Sequence, residues 1–360
     1  MADMGYMPGG DEMFTDLLHY IRSGDFVMNL LDQAQTLNDY AFALGALSHY
    51  MADKYGHSLA TNKTVPIIFP KLRKKFGNTV TYDDDHTSHS RVEFAYDVVQ
   101  ISVGNYANSS YHDFIGFEMD VPLLQKAFKL TYGQDISLYF PNINSNINEY
   151  RWGVRRLFPR MLRNASRGHK DEIARDTQTA VTRTFHYRMS RHMFNIEYGK
   201  DRGKNHNFFA RALATIIEIL PKVGPLKKLK FVDPTPAGEK LFAQSFKTIV
   251  QQYSDTLTQL GQKRVNLPDI DFDTGNKTAA GEYHLTDKTY AELVMSLSEN
   301  HFAYLTPDLK RNIIDYYSTT KPQSFDWLKP KNKEKLFAAL KDIKKAQPVD
   351  ANTVNSTGGR

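Results

Sequence analysis

Apolar side chains recur every three or four residues along most of the chain, a spacing that places them on one face of an α-helix. In one such segment the side chains expected to point toward a core are Phe42, Leu44, Leu47 and Met51. Asn38 is the expected N-cap of this helix and Gly56 its expected end. The alternation typical of strands has little support anywhere. We therefore predict an all-α, multi-helix bundle, with helices at residues 11–21, 26–35, 38–55, 87–103, 121–131, 147–164, 171–191, 208–220, 236–260, 287–299, 306–317 and 331–345.

The composition of the chain changes after about Lys204. Clustered histidines lie upstream of this point, whereas Lys-rich helices and Pro-rich turns lie downstream of it. We predict a helical domain over residues 1–204, a C-terminal helical extension over residues 205–347, and a disordered tail over residues 348–360. The tail is predicted to be disordered because it is polar and ends in glycine.

Bulk composition limits the chemistry that is open to this protein. Among 360 residues, 41% are hydrophobic and 24% are charged, the proportions of a soluble globular protein. The net charge of +6 fits an anionic substrate or surface without identifying one. There is no cysteine, so any metal must be held by histidines and carboxylates.

Targeting signals are not recognised in the sequence. No stretch reaches the roughly 18 apolar residues that a bilayer-spanning helix needs. The first ten residues lack the basic start and the apolar stretch of a signal peptide. These features leave the compartment open.

Potential metal ligands are concentrated near the start of the chain, where six of the twelve histidines lie before residue 113. His49 and Asp53 are four residues apart, so on a helix they lie on one face. Such a pair is consistent with a hydrogen-bonded surface pair. It is also consistent with a buried pair that needs a metal, because the surrounding residues are small and apolar.

His57 lies eight residues after His49, about 12 Å along an unbroken helix, too far to share one metal with it. If the helix ends at Gly56, His57 can turn away, and two neighbouring metals become the natural interpretation. His89 and Glu93 repeat the four-residue spacing and could complete a site with His57. Asp3 and His19 could complete the site that His49 and Asp53 begin. Histidine with carboxylate is a ligand set that suits zinc.

Several motifs together resemble the bacterial zinc-dependent phospholipase C family, whose fold is similar to that of the single-strand-specific zinc nucleases. The resemblance covers the first two hundred residues, and shorter segments at Tyr111–Phe117 and Asp271–Gly275 suggest that it extends further. The motifs that carry it are Asp3-Met4-Gly5-Tyr6, Leu18-His19-Tyr20-Ile21-Arg22-Ser23-Gly24-Asp25, Ala41-Phe42-Ala43-Leu44-Gly45-Ala46-Leu47-Ser48-His49-Tyr50-Met51-Ala52-Asp53, Gly56-His57 and His89-x-x-x-Glu93.

The resemblance implies a phospholipase C-like or zinc nuclease-like helical bundle with additional C-terminal helices and a cluster of up to three zinc ions. By this resemblance, one zinc is held by Asp3, His19, His49 and Asp53, and a second by His57, His89 and Glu93. The third zinc of the family uses N-terminal ligands that would precede the Asp3 motif, so either the start of this sequence is truncated or the site holds two metals. Two zinc ions are the expectation for the residues given. Asp3 and Asp53 are the expected catalytic residues, Asp53 as a bridging carboxylate and Asp3 also as a base that orients water.

The function expected from this resemblance is hydrolysis of a phospholipid phosphodiester by a metal-bound hydroxide. One alternative is a single-strand nuclease or nucleotidase that uses the same site. Another is a non-catalytic helical binding protein stabilised by metal. The resemblance also implies a bacterial protein that is secreted or periplasmic.

The expected partners are a phospholipid or another phosphodiester, with nucleic acid as the second choice and no obligate protein partner. Peripheral membrane contact is a further expectation. It comes from residues 208–229, whose apolar stretch followed by prolines and lysines has the composition of an interfacial element. The same composition fits a buried helix followed by an exposed turn.

Overall fold

The computed structural model describes residues 1–7, 9–103, 119–169, 171, 173, 229–318 and 325–356. All regular secondary structure in these ranges is helical, so the all-α prediction is confirmed. None of the described helices combines the length and apolar character that a membrane crossing requires.

The described helices are numbered here in chain order. A 3₁₀ turn at Ala2–Tyr6 precedes them, and π-helical turns at His57–Thr61 and Gly153–Leu157 join α3 to α4 and α8 to α9. The α-helices are α1 Glu12–Tyr20, α2 Ser23–Gln33, α3 Leu37–Gly56, α4 Asn62–Ile68, α5 Pro70–Phe76, α6 His86–Val103, α7 Val121–Tyr132, α8 Ile143–Trp152, α9 Phe158–Gly168, α10 Thr235–Gly261, α11 His284–Glu299, α12 Pro307–Ser318, α13 Pro330–Lys345 and α14 Ala351–Ser356.

The first of two compact units comprises Met1–Lys54, Met119–Ile143 and Tyr253–Arg360. Within it, α1 packs against the N-terminal 3₁₀ turn and α11, while α2 packs against α7. Phe14 of α1 is fully buried, and its ring lies 5.4 Å from that of Phe128 and 4.8 Å from that of Phe140. This aromatic core fixes α1, the helix that carries His19.

The second compact unit comprises Tyr55–Glu118 and Asn144–Gln252. Two buried apolar clusters lie in its described part. One surrounds Val65, Val92 and Tyr96, and the other surrounds Val98, Ile101 and Leu162. Both clusters bury residues of α6, so the helix that carries His89 and Glu93 is held on two sides.

The predicted helix boundaries agree closely with the structure for most described helices, but the residue predicted to cap α3 was wrong. The helix begins at Leu37 and is capped by Thr36, whose hydroxyl accepts the Asp39 N–H at 3.2 Å, so Asn38 is not the cap. The α-helix ends at Gly56, as predicted, but the chain does not leave its helical path there. Gly56 has φ −65° and ψ −52°, not the left-handed conformation common at helix ends, and leads directly into the π turn that begins at His57.

The predicted tail at residues 348–360 also needs correction. Residues 351–356 form α14, which packs against α7, and Val354 is 1% exposed. The Val349 N–H donates to the Leu305 carbonyl at 2.9 Å. Burial of Val354 and this backbone hydrogen bond order a segment whose composition alone suggested disorder.

The predicted domain boundary after Lys204 lies outside the described residues and stays a prediction. The structure does place residues 253–356 in the same compact unit as residues 1–54. The helix predicted at 208–220 also lies outside the described residues. The same holds for nearly all of the helix predicted at 171–191 and of the interfacial segment predicted at 208–229.

Candidate metal centre

His19 lies at the end of α1 with its ring orientation fixed by the helix itself. Asp11 caps the helix by accepting the Met13 N–H at 2.8 Å. Near its other end, Nδ1 of His19 lies 2.8 Å from the Thr15 carbonyl oxygen, so Nδ1 carries the proton and donates it. The Nε2 atom is therefore the ring nitrogen that can bind a proton or a metal ion. His19 as a whole is only 7% exposed.

Three further donor atoms surround His19 Nε2 in the first unit. The Oδ1 atom of Asp3 and the Oδ2 atom of Asp53 each lie 3.3 Å from it, and His49 Nε2 lies 3.4 Å from it. His49 Nε2 also lies 3.1 Å from Asp53 Oδ2. We call these four residues the Asp3 cluster.

While His19 is neutral, its Nε2 atom cannot form hydrogen bonds with the carboxylates of Asp3 and Asp53. Its Nδ1 proton is committed to Thr15, so Nε2 presents a lone pair to the carboxylates of Asp3 and Asp53. An ionised carboxylate offers only lone pairs in return. A proton on His19 Nε2 or a metal ion among these atoms would turn the contacts of His19 with Asp3 and Asp53 into attractive ones.

The electrostatics of the cluster without a metal lead to the same conclusion. Burial lowers the pKa of His19, but hydrogen bonds to Asp3 and Asp53 outweigh it and raise that pKa to about 10. Partial burial raises the pKa of Asp3, but the hydrogen bond to His19 and the charges of His49 and His19 hold it well below its usual range. The cluster therefore attracts positive charge.

The spacing of these donors fits zinc. Four ligands arranged tetrahedrally about 2.0–2.1 Å from zinc are about 3.3–3.4 Å from one another. Four of the six distances within the Asp3 cluster, those from His19 to the other three residues and the one from His49 to Asp53, measure 3.1–3.4 Å. Two imidazoles and two carboxylates also form a ligand set that zinc accepts.

Phe272 forms a wall of the Asp3 cluster that sequence reasoning did not predict. Its ring lies 5.4 Å from that of His19 and 6.0 Å from that of His49, edge to face with both. Its N–H donates to the His19 carbonyl at 2.8 Å. The motif at Asp271–Gly275 is part of the family resemblance, but its sequence does not indicate that it lies beside these histidines.

The second unit contains its own group of donors. Glu93 Oε1 lies 3.1 Å from His89 Nε2 and 3.2 Å from His57 Nε2, and the two imidazole rings are 5.1 Å apart. His89 is fully buried, and the Tyr82 ring packs edge to face against it at 5.4 Å. We call His57, His89 and Glu93 the His57 cluster.

The His57 cluster has the donors and the charge that a zinc site requires. Burial raises the pKa of Glu93, but the charge of His89 and hydrogen bonds from both histidines outweigh it, so Glu93 is ionised at neutral pH. Three protein donors are the number that catalytic zinc sites commonly use, and this unit supplies at least three. The distances from Glu93 to the two histidines are close to those between ligands of a tetrahedral zinc ion.

The structure therefore brings all seven predicted site residues into two clusters, one in each unit. Asp3, His19, His49 and Asp53 form one, and His57, His89 and Glu93 form the other. Their role as metal ligands, and the catalytic roles expected for Asp3 and Asp53, remain predictions.

Comparison with known proteins supports the motif-based resemblance. Residues 1–142 match the family model described as zinc-dependent phospholipase C, which confirms the resemblance for that part of the chain. Searches of curated proteins and of solved structures found no match. All seven candidate ligands lie within the matched residues.

Proposed function

We propose that this chain, with its N-terminal match to the zinc-dependent phospholipase C family, is a zinc-dependent hydrolase of phospholipid phosphodiesters. The observation that carries the proposal is the convergence of Asp3, His49 and Asp53 on His19 Nε2 at zinc-ligand spacing. The family match supplies the reaction class, and the His57 cluster supplies a second group of donors.

When zinc is bound, it lowers the pKa of a coordinated water toward neutrality and neutralises phosphate oxygens. The ion at the Asp3 cluster would be held by Asp3, His19, His49 and Asp53, and an ion in the second unit by His57, His89 and Glu93. His19 keeps a fixed orientation because its Nδ1 proton is engaged by Thr15. Phe272 limits rotation of the His19 and His49 rings.

Asp3 is the residue that we assign to handling water. Its side chain is 46% exposed, whereas that of Asp53 is 17% exposed, so Asp3 is more accessible to a water molecule or a substrate. Its lowered pKa keeps it ionised at neutral pH, so its carboxylate can accept a hydrogen bond from a water molecule. Asp3 would orient a water toward phosphorus while Asp53 remains between the two histidines.

The proposal is tested with the purified full chain by measuring zinc content and turnover of phosphatidylcholine vesicles and of single-stranded DNA. We expect zinc and phospholipid turnover in the wild-type protein, and a loss of at least about 100-fold in activity in His49→Gln and in His89→Gln. His284→Gln is the matched control, because His284 is exposed and belongs to neither cluster.

Three outcomes would contradict the proposal. Retention of full activity and zinc content in both cluster variants would show that these residues are not the ligands. Turnover of DNA without turnover of phospholipid would identify a nuclease. Bound zinc without hydrolysis of either substrate would favour a structural role for the metal.

A further inference from the structure

Thr15 connects two members of the Asp3 cluster without belonging to it. Its hydroxyl donates to the Ala2 carbonyl at 2.9 Å and accepts the Gly5 N–H at 3.1 Å. Its own carbonyl accepts the Nδ1 proton of His19 at 2.8 Å. Thr15 is completely buried, so water does not compete for these hydrogen bonds.

The segment that Thr15 holds is the short 3₁₀ turn that carries Asp3. The turn has no side-chain cap, and its five residues cannot form a stable helix by themselves. Thr15 binds the turn on both sides of Asp3, at Ala2 and at Gly5. The position of the Asp3 carboxylate relative to α1 therefore depends on this side chain.

The 3₁₀ turn packs closely against Thr15 and against the backbone at Asp11. A Cβ atom at Gly5 would lie 2.6 Å from Thr15 Oγ1 and 2.4 Å from the Asp11 carbonyl oxygen. At Gly10, a Cβ atom would lie 2.8 Å from the Met4 carbonyl oxygen. The turn thus lies directly against α1, where the Thr15 hydroxyl reaches two backbone groups at once.

We infer that Thr15 is a positioning residue that sets the distance between the Asp3 carboxylate and the His19 imidazole, and thereby the zinc affinity of the Asp3 cluster. The inference rests on the zinc binding in the proposed function but not on the identity of the substrate. Groups that orient metal ligands commonly change metal affinity by about 10–100-fold when they are removed. Thr15 orients two ligands at once. Its hydroxyl holds the turn that carries Asp3, and its carbonyl accepts the Nδ1 proton of His19.

Thr15→Val separates these two roles. Valine keeps the shape and the carbonyl that receives the His19 proton, but it leaves the Ala2 carbonyl and the Gly5 N–H without their partner. We expect zinc to bind the Asp3 cluster about 10–100-fold more weakly and to dissociate faster. Thr15→Ser keeps the hydroxyl and should restore near wild-type affinity.

The experiment is chelator competition on the full chain, together with the visible spectrum of the cobalt-substituted protein. Thr289→Val is the matched control, because Thr289 is equally buried and its hydroxyl donates to the Leu285 carbonyl of its own helix at 2.7 Å, away from the cluster. It should leave zinc affinity unchanged. An Asp3→Ala background provides the decisive test, since Thr15→Val should have little further effect once Asp3 is absent.

Wild-type zinc affinity in Thr15→Val would overturn this inference and leave the proposed function intact. An equal loss of affinity in the presence and absence of the Asp3 side chain would also overturn it, because Thr15 would then be acting through the fold and not through Asp3. A wild-type chain that binds no zinc would overturn both proposals, and the absence of metal would distinguish that result from the other two.

Discussion

At the scale of single residues, the Asp3 cluster has an excess of negative charge and lone pairs that needs a cation to balance it. Two carboxylates face an imidazole nitrogen whose ring has already committed its other proton to a backbone carbonyl. Without metal, a proton on His19, whose pKa is raised to about 10, balances the carboxylates. With metal, the divalent ion would take over this role. The strength with which the cluster binds a cation therefore depends on how its donor atoms are positioned.

Gly5 is one such residue, and its replacement gives a direct prediction. Gly5→Ala would place a Cβ atom 2.4 Å from the Asp11 carbonyl oxygen, so the 3₁₀ turn must move away from α1. We expect a loss of about 1–3 kcal/mol in the free energy of unfolding and weaker zinc binding at the Asp3 cluster. Chemical denaturation and chelator competition measure the two effects.

Gly45→Ala is the control for this change. Gly45 lies in the middle of α3 and is exposed to solvent. A Cβ atom at this position would have no heavy atom within 4 Å. Alanine should therefore stabilise the helix by about 0.5–1 kcal/mol. Equal effects of the two substitutions would show that the close approach at Gly5 does not matter.

Part of the site could be predicted residue by residue. The spacings of His49 with Asp53 and of His89 with Glu93 place each pair on one helical face whatever the tertiary structure. Thr15 and Phe272 could not be found in this way. Their contacts with the Asp3 turn and with the histidine rings join residues that are distant in sequence, and neither residue type is a metal ligand.

At the scale of helices, local hydrogen bonds determined where α3 begins. The Asp39 carboxylate accepts the backbone N–H groups of Gln35 at 2.8 Å and Thr36 at 3.1 Å, while the Thr36 hydroxyl accepts the Asp39 N–H. This reciprocal arrangement is a capping box. It competes successfully with Asn38, which would otherwise be a good cap.

The capping box leads to a prediction for α3. Thr36→Ala should lower the free energy of unfolding by about 1 kcal/mol, because the Asp39 N–H loses its acceptor. Asn38→Ala should change it by less than about 0.5 kcal/mol, since Asn38 is exposed and is not the cap. Urea denaturation of both variants measures the difference, and a larger loss in Asn38→Ala would contradict the assignment.

The π turn that follows α3 shows a limit of local reasoning. Glycine at position 56 suggested that the helix ends, yet the chain continues with a wider turn that begins at His57. π turns are frequent at functional sites because the extra residue per turn redirects side chains. Its formation depends on the tertiary packing of α4 and α6 around it, which no four-residue spacing reports.

For the molecule as a whole, the two compact units are each built from segments that are distant in sequence. The first combines residues 1–54 with segments 119–143 and 253–360. A change in composition along the chain could not indicate this arrangement, because units that exchange segments have no single boundary. Each unit nevertheless has one cluster of potential zinc ligands, which gives a prediction for global stability.

Zinc should stabilise the folded protein at both clusters. At a free zinc concentration 1,000 times the dissociation constant, each occupied site adds about 4 kcal/mol to the free energy of unfolding. We expect a chelator to lower the unfolding temperature measured by calorimetry. His49→Gln and His89→Gln should each lose part of this response, whereas His284→Gln should keep all of it. An unfolding temperature that does not respond to chelation would show that neither cluster holds zinc.

The sequence by itself determined the helical class, most of the helix positions and the spacing of the ligand pairs, because helix formation and side-chain facing depend on neighbours three or four residues apart. It also carried the family motifs in residues 1–142. Only the tertiary structure decided that Asp3 and Asp53 meet at His19 Nε2, that Thr15 attaches the turn carrying Asp3, and that Phe272 packs on the histidine rings. These contacts join segments that are distant in sequence. They form only when the core that holds those segments together has packed, so neighbouring residues alone do not predict them.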